Sequence, residues 1–373
     1  MRALTLWIGA ALMATLSLAH AETGVSADRI LLGQTGPASG PLATLNEEYV
    51  GGARLYFDAL NQRGGIHARK IELLALDDAY DPAKAEANAR TLISEKQVFA
   101  LFACVGTGPS LKTIPLATEA RVPFIAPYTG ADTLRAHKPE VFHLRASYGQ
   151  EIEKIVSHLV SAGITSIGIV HHADSFGTAG LEAARKALAS RGLRPVVEAA
   201  VQSSAEDAGT AAGKIAEANP AALIMVTAGK SSIGVMQGLH ARDAHPMLYG
   251  LSVISANQLI STLGENAHGL VIAQVVPSPF RFDHDVVQDY RKAAETAKVE
   301  MSYTSLEGFM AAKVIAEGIT RAGPELTREK LIKALESLNG WDAGGVKIGF
   351  SPRNHVASEF VDLAIISRGK YLR

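Results

Sequence analysis

Thr107 stands between two glycines in the stretch V-G-T-G-P-S, residues 105–110, just ahead of a segment that reads as a helix opened by Pro109. A helix start leaves backbone N–H groups without partners and carries the positive end of the dipole, so it favours a carboxylate. Glycines on either side, Gly106 and Gly108, would let a ligand approach the main chain closely. Two more loops share this look. Residues 36–46, G-P-A-S-G-P-L-A-T-L-N, are long and rich in Gly and Pro, and residues 126–132, A-P-Y-T-G-A-D, follow another strand. Each alone reads equally as loop punctuation, and Thr107 alone as a cap for its own helix. All three leave the carboxyl ends of strands in the same series, which is where open α/β sheets bind ligands.

The residues that would do covalent or metal chemistry are not arranged for it. The chain has no G-x-S-x-G elbow, no H-E-x-x-H and no phosphate-binding lysine loop. Cys104, the single cysteine, lies inside the apolar run 99–105 and reads as a buried, inert thiol. His171-His172 ends a strand with no third ligand at a suggestive spacing, so a rim or capping role is expected and no metal. Asp77-Asp78 resembles an acid pair, but neighbouring strand residues point to opposite faces, so capping of the next turn is the expectation. No cofactor is expected.

Short apolar runs alternate with amphipathic stretches from residue 30 onward, the pattern of parallel sheets with crossover helices. Strands are expected at 30–33, 70–76, 98–103, 122–126 and 141–145, with helices at 47–62, 82–94 and 109–120. A second series follows. Its helices are expected at 150–162, 176–191, 205–218 and 231–242, and its strands at 166–171, 194–200, 221–226, 247–250 and 269–275. After Pro277 and Pro279 come helices at 285–297, 305–321 and 328–338, then β segments near 346–350 and 359–366. Two series of this kind imply an α/β fold of two doubly wound parallel-sheet lobes that enclose a cleft.

The 373-residue length suits two domains, and a net charge of −1 offers no general attraction for nucleic acid or acidic membranes. Arg2, the apolar stretch 4–18 and Ala19-His20-Ala21 form a secretory signal peptide with cleavage after Ala21. The apolar stretch is shorter than the roughly 20 residues that a spanning helix needs, and no cysteine follows it to carry a lipid. An exported protein in the periplasm is therefore expected.

The chain resembles the type I periplasmic substrate-binding proteins of the leucine/isoleucine/valine-binding family. The resemblance rests on G-P-A-S-G-P (36–41), G-A-R-L-Y-F-D-A-L-N-Q-R-G-G-I (52–66), L-D-D-A-Y-D-P-A-K-A (76–85), V-P-F-I-A-P (122–127) and H-A-D-S-F-G (172–177). It implies two lobes joined by three crossovers: 22–146 with 276–349, and 147–275 with 350–373, after the signal peptide 1–21. It also implies an extracytoplasmic binding protein, not an enzyme, that delivers a small amino-acid-like, carboxylate or amide ligand to an ABC permease of the inner membrane. A monomer is expected. The alternative is a sensor that reports the ligand to a membrane receptor.

The family's carboxylate-binding hydroxyl matches Thr107, beside Gly106, and its backbone contacts match Tyr128, Thr129 and Gly130. Its first-loop aromatic falls near Leu45, and its second-lobe aromatic matches Phe176, without the hydroxyl. The acid that holds a ligand ammonium falls at or near Ser252, so poor binding of leucine, isoleucine and valine is expected unless another acid, Asp174 or Glu48, substitutes. The stretch R-A-S-Y (145–148) resembles a branch with less uniform ligands. Tyr148 is a candidate cleft residue there, or an ordinary packed tyrosine.

Overall fold

The computed structural model describes residues 22–367 and 370–372. The expected signal peptide lies outside them. The first sheet is built by β1 (Arg29–Gly36), α1 (Ala43–Gln62), β2 (Lys70–Asp77), α2 (Pro82–Arg90), β3 (Ala100–Phe102), α3 (Thr107–Glu119), β4 (Phe124–Ile125) and β5 (Val141–Phe142). Its strand order is β2-β1-β3-β4-β5, and every pairing is parallel. The chain then passes to α4 (Tyr148–Ser161), β6 (Ile167–His172), α5 (Ser175–Ala189), β7 (Val197–Val201), α6 (Ala208–Ala218), β8 (Ala222–Val226), α7 (Lys230–His240), β9 (Met247–Gly250), α8 (Ala256–Leu263) and β10 (Val271–Gln274). It returns through α9 (Asp285–Ala297), α10 (Tyr303–Ala322), α11 (Arg328–Glu336) and the hairpin β11 (Asn339–Asp342) and β12 (Lys347–Gly349). A third passage leads to β13 (Asp362–Ser367) and β14 (Lys370–Leu372). The second sheet runs β14-β13-β10-β9-β8-β6-β7, parallel except where β13 and β14 join antiparallel. The architecture is thus two doubly wound α/β lobes linked by three crossovers, the type I periplasmic binding protein fold.

Helices cover both faces of each sheet, so central strands are apolar throughout rather than alternating. Residues 98–105 are buried without a break. Helix α4 shows how sequence fixes one element. Ser147 caps it and Gln150 reaches back to the cap, while Ile152, Ile155, Val156 and Leu159 form the buried stripe. Helix α10 returns to the first lobe and packs on α1, with α11 behind it. The α1–α10 crossing is so close that a Cβ at Gly52 would lie 1.8 Å from the Ser305 carbonyl oxygen, and one at Gly308 would lie 1.8 Å from that of Tyr49.

Several expected boundaries move. The strand expected at 141–145 lasts two residues, because at this edge His143 pairs with the returning segment at Val356 and the chain then leaves the sheet. Leu144 and Arg145 therefore belong to a crossover. Helix α3 starts at Thr107, not at 109. Gly106 takes the N-cap position with φ 105°, and Pro109 sits in the first turn, where no amide is required. Helix α8, opened by the Ser255 side chain on the Gln258 amide, and strand β11 are additional to the sequence expectation.

Candidate functional site

The carboxyl ends of β1, β2 and β3 carry the loops that face the second lobe. Asp77 ties down the loop after β1: its carboxylate accepts from the amides of Ala38 (2.8 Å) and Ser39 (3.1 Å) and from the Ser39 hydroxyl (2.6 Å). Asp78 points the other way, accepting from the Thr35 hydroxyl at 2.8 Å and the Tyr80 amide at 2.8 Å, and burial lifts its carboxyl to about 6. The pair is bracing for two loops, as alternation predicts. Burial likewise pushes the Cys104 thiol up to about 12, which leaves it inert.

Thr107 is buried at the first position of α3, a helix with no side-chain cap. Its hydroxyl is 2.8 Å from that of Thr129, which also accepts from the Ala131 amide at 3.2 Å. Gly106 makes room for Tyr80, since a Cβ there would stand 2.6 Å from the tyrosine ring. From the second lobe, Tyr148 begins α4 and Phe176 lies in the first turn of α5, with ring centroids 5.1 Å apart, edge to face.

These groups meet around one cavity of about 20 Å³ between the lobes, little more than a water molecule needs. Tyr80, Val105, Gly106, Thr107 and Tyr128 line it from the first lobe, with Leu42 and Leu45 at the start of α1. Tyr148, Phe176, Ala228 and Val253 line it from the second. Direct contacts hold the lobes together here. The Tyr80 hydroxyl donates to Asp174 at 3.1 Å, the Lys230 amide reaches the Pro41 carbonyl at 3.4 Å, and Glu48, held within its own lobe by Ser302 at 2.9 Å, accepts from Ser255 across the gap. A wider open groove of about 850 Å³ lies along α4 and α5, but it is walled by charges such as Glu153, Lys154, Glu182 and Lys186 and holds none of the expected site residues.

A periplasmic binding protein family model matches residues 29–370, almost the entire described chain. The chain belongs to this family. Among solved structures, a substrate-binding periplasmic protein from Ralstonia solanacearum is 32% identical, with a TM-score of 0.86 over 91% of this chain and 98% of that one. A possible leucine/isoleucine/valine-binding protein from Rhodopirellula baltica SH 1 is 27% identical, with a TM-score of 0.88 over 94% and 97%. Leu/Ile/Val-binding protein homolog 7 of Brucella abortus (strain 2308) is 24% identical over 90% of this chain and 84% of its own length. The chain is accordingly a binding protein rather than an enzyme.

Of the residues expected at the site of this periplasmic binding protein, Leu45, Gly106, Thr107, Tyr128, Tyr148 and Phe176 line the cavity. Thr129 and Gly130 stand behind it. Thr129 bonds to Thr107, and Gly130 lies flush against Tyr148, where a Cβ would be 2.6 Å from the ring. Ser252 is buried away from the cavity: its amide donates to Glu151 at 2.8 Å, its hydroxyl to Glu151 at 3.0 Å, and Arg145 donates to that hydroxyl. Sequence reasoning missed Tyr80, which looks like a turn residue in D-D-A-Y-D-P, and Leu42, Val105, Ala228 and Val253, which carry no chemical signature.

Neither proposed substitute acid lines the cavity. Glu48 is held by its two serines. Burial pushes Asp174 up, but His172, the Gly177 amide and the Tyr80 hydroxyl together hold it below the usual carboxylate value. His172 is a buried brace rather than a rim group. Its Nε2 is 2.6 Å from the Ser231 hydroxyl, which also lies 2.9 Å from the Ala228 carbonyl, and its Nδ1 is 3.4 Å from Asp174. Among the described residues no cluster of three or more His, Cys, Asp or Glu is placed to hold a metal ion, and no helix is long and apolar enough to cross a membrane.

Proposed function

We propose that this chain is the extracytoplasmic solute-binding component of an ABC importer. It captures a small ligand bearing a carboxylate or amide between the lobes and presents it to an inner-membrane permease. The observation that carries the reading is the convergence of both lobes on one cavity that includes Thr107 at the uncapped start of α3. A ligand touching both lobes stabilises the closed arrangement over the open one. The closing halves run 22–146 with 276–349, and 147–275 with 350–373. Thr107, Gly106, Tyr128, Leu45, Tyr148 and Phe176 touch the ligand; Thr129, Gly130 and Ser252 hold those contacts in place. Export removes residues 1–21, so intact-mass measurement of the periplasmic protein should give a chain beginning at Glu22.

A thermal-shift screen over amino acids, amides and carboxylates tests the reading, because a ligand at 100 times its dissociation constant adds about 2.7 kcal/mol of stability. With the hit from that screen, Thr107→Ala should weaken binding by about tenfold or more, the cost of a hydrogen bond to a charged acceptor. The unfolding midpoint of the ligand-free variant should stay close to wild type. Unchanged affinity with a lowered midpoint would leave Thr107 only its packing role against Thr129.

A further inference from the structure

The lining of the cleft says which kind of carboxylate it takes. Four rings face the cavity, two from each lobe: Tyr80 and Tyr128 on one side, Tyr148 and Phe176 on the other. Among the described residues no carboxylate lines it. The acids around it are engaged elsewhere: Asp174 with Tyr80, His172 and the Gly177 amide, and Glu151 with Ser252 and Arg145. We propose that the ligand is an aromatic carboxylate without an α-ammonium group, its ring held between the two ring pairs and its carboxylate at Thr107 and the α3 amides. The inference rests on the cleft being the ligand site.

Two physical terms point the same way. An ammonium closed into this cavity would lose its water and gain no anion, which is costly. A ring gains instead, since edge-to-face or offset aromatic contacts add to the area they bury. A ring-lined site also suits a quaternary ammonium, which binds ring faces. Here that role is taken. The Arg145 guanidinium carbon already lies 4.6 Å from the centroid of Tyr128 and 5.8 Å from that of Tyr148, so these two rings already hold a cation. The cavity is too small for any ring while the lobes are fully shut, so the ligand must enter the open form and leave the two ring pairs further apart on closure.

Calorimetric titration with five compounds separates these terms. 3-Phenylpropanoate has a ring and no ammonium; phenylalanine adds the ammonium. 4-Methylpentanoate and leucine are the aliphatic counterparts, and glycine betaine carries the quaternary ammonium. The expected result is that 3-phenylpropanoate binds at least tenfold tighter than each of the other four. Tightest binding of phenylalanine, leucine or betaine would overturn the inference and leave the cleft reading standing. Tightest binding of 4-methylpentanoate would overturn the aromatic part and with it the proposal. Silence from all five also overturns it, while the cleft reading is judged separately by the wider screen and the Thr107→Ala comparison.

Discussion

Arg145→Ala should cost the ligand-free protein about 3–5 kcal/mol of folding stability, the range for breaking a buried ion pair from one side. Arg145 is buried on the first crossover, 3.5 Å from Glu151 of α4 and 3.6 Å from Glu307 of α10, and it donates to Ser252 in the loop after β9. Burial opposes its charge, but Glu307, Tyr128 and Glu151 more than offset that and hold it above the usual arginine value. Removing the guanidinium leaves two buried carboxylates with no cation and deletes a side chain packed on the Tyr128 ring. Urea unfolding without ligand measures the loss. A loss under about 1 kcal/mol, the ordinary worth of an exposed pair, would mean that water reaches the cluster. The triple change Arg145→Met, Glu151→Gln, Glu307→Gln should recover much of the loss, because it removes the unpaired charges along with the pair. The cluster joins both lobes to the first crossover, so the same variant should loosen the setting of one lobe against the other.

The alternation of strands and helices was legible because each element buries a face of its own, and periodicity reports burial directly. Residues 82–94 and 150–162 announced themselves by cap residues and apolar spacing, and helices stand there, the first closing in a π turn at Thr91–Glu95. What the sequence could not show is made by the passage between lobes. The family resemblance puts a missing ligand-facing acid at Ser252, yet in the structure an acid sits directly against it. Glu151 arrives from α4, 101 residues earlier, and Arg145 from 107 residues earlier. Neither spacing has a period. Leu144 and Arg145 read as strand because V-F-H-L-R looks like an edge, and only the pairing of His143 with the returning chain ends the strand early. Thr107 was findable from its glycines, whereas Tyr80 was not, because its part depends on the space that Gly106 leaves open.

One arginine facing two glutamates also makes stability depend on pH through Glu307. Burial, the largest influence, raises its carboxyl to about 7; Arg145 and Arg135 pull it down, and Glu151 pushes it up. The phenols of Tyr49 and Tyr128 also feel its charge. In the unfolded chain the same group titrates near 4.5. Between those values the folded protein keeps a proton that the unfolded chain has released. This contribution to stability is therefore complete below about 4.5 and is lost as the pH rises through about 7. His143, which burial lowers to about 3, works in the opposite sense, since its unfolded form takes up a proton as the pH falls below 6.5. The wild-type curve mixes these with other buried groups, Asp78 among them, and Glu307→Gln isolates the part due to Glu307. Glutamine mimics the protonated carboxyl, so the variant should match wild type near pH 5 and become more stable than it above pH 7, by up to about 3 kcal/mol. Denaturation of both proteins at pH 5 and pH 8, without ligand, measures the difference. A gap that is equal at the two values would show that Glu307 carries the same charge at both, and the buried pair would then be a fixed brace with no proton to give up.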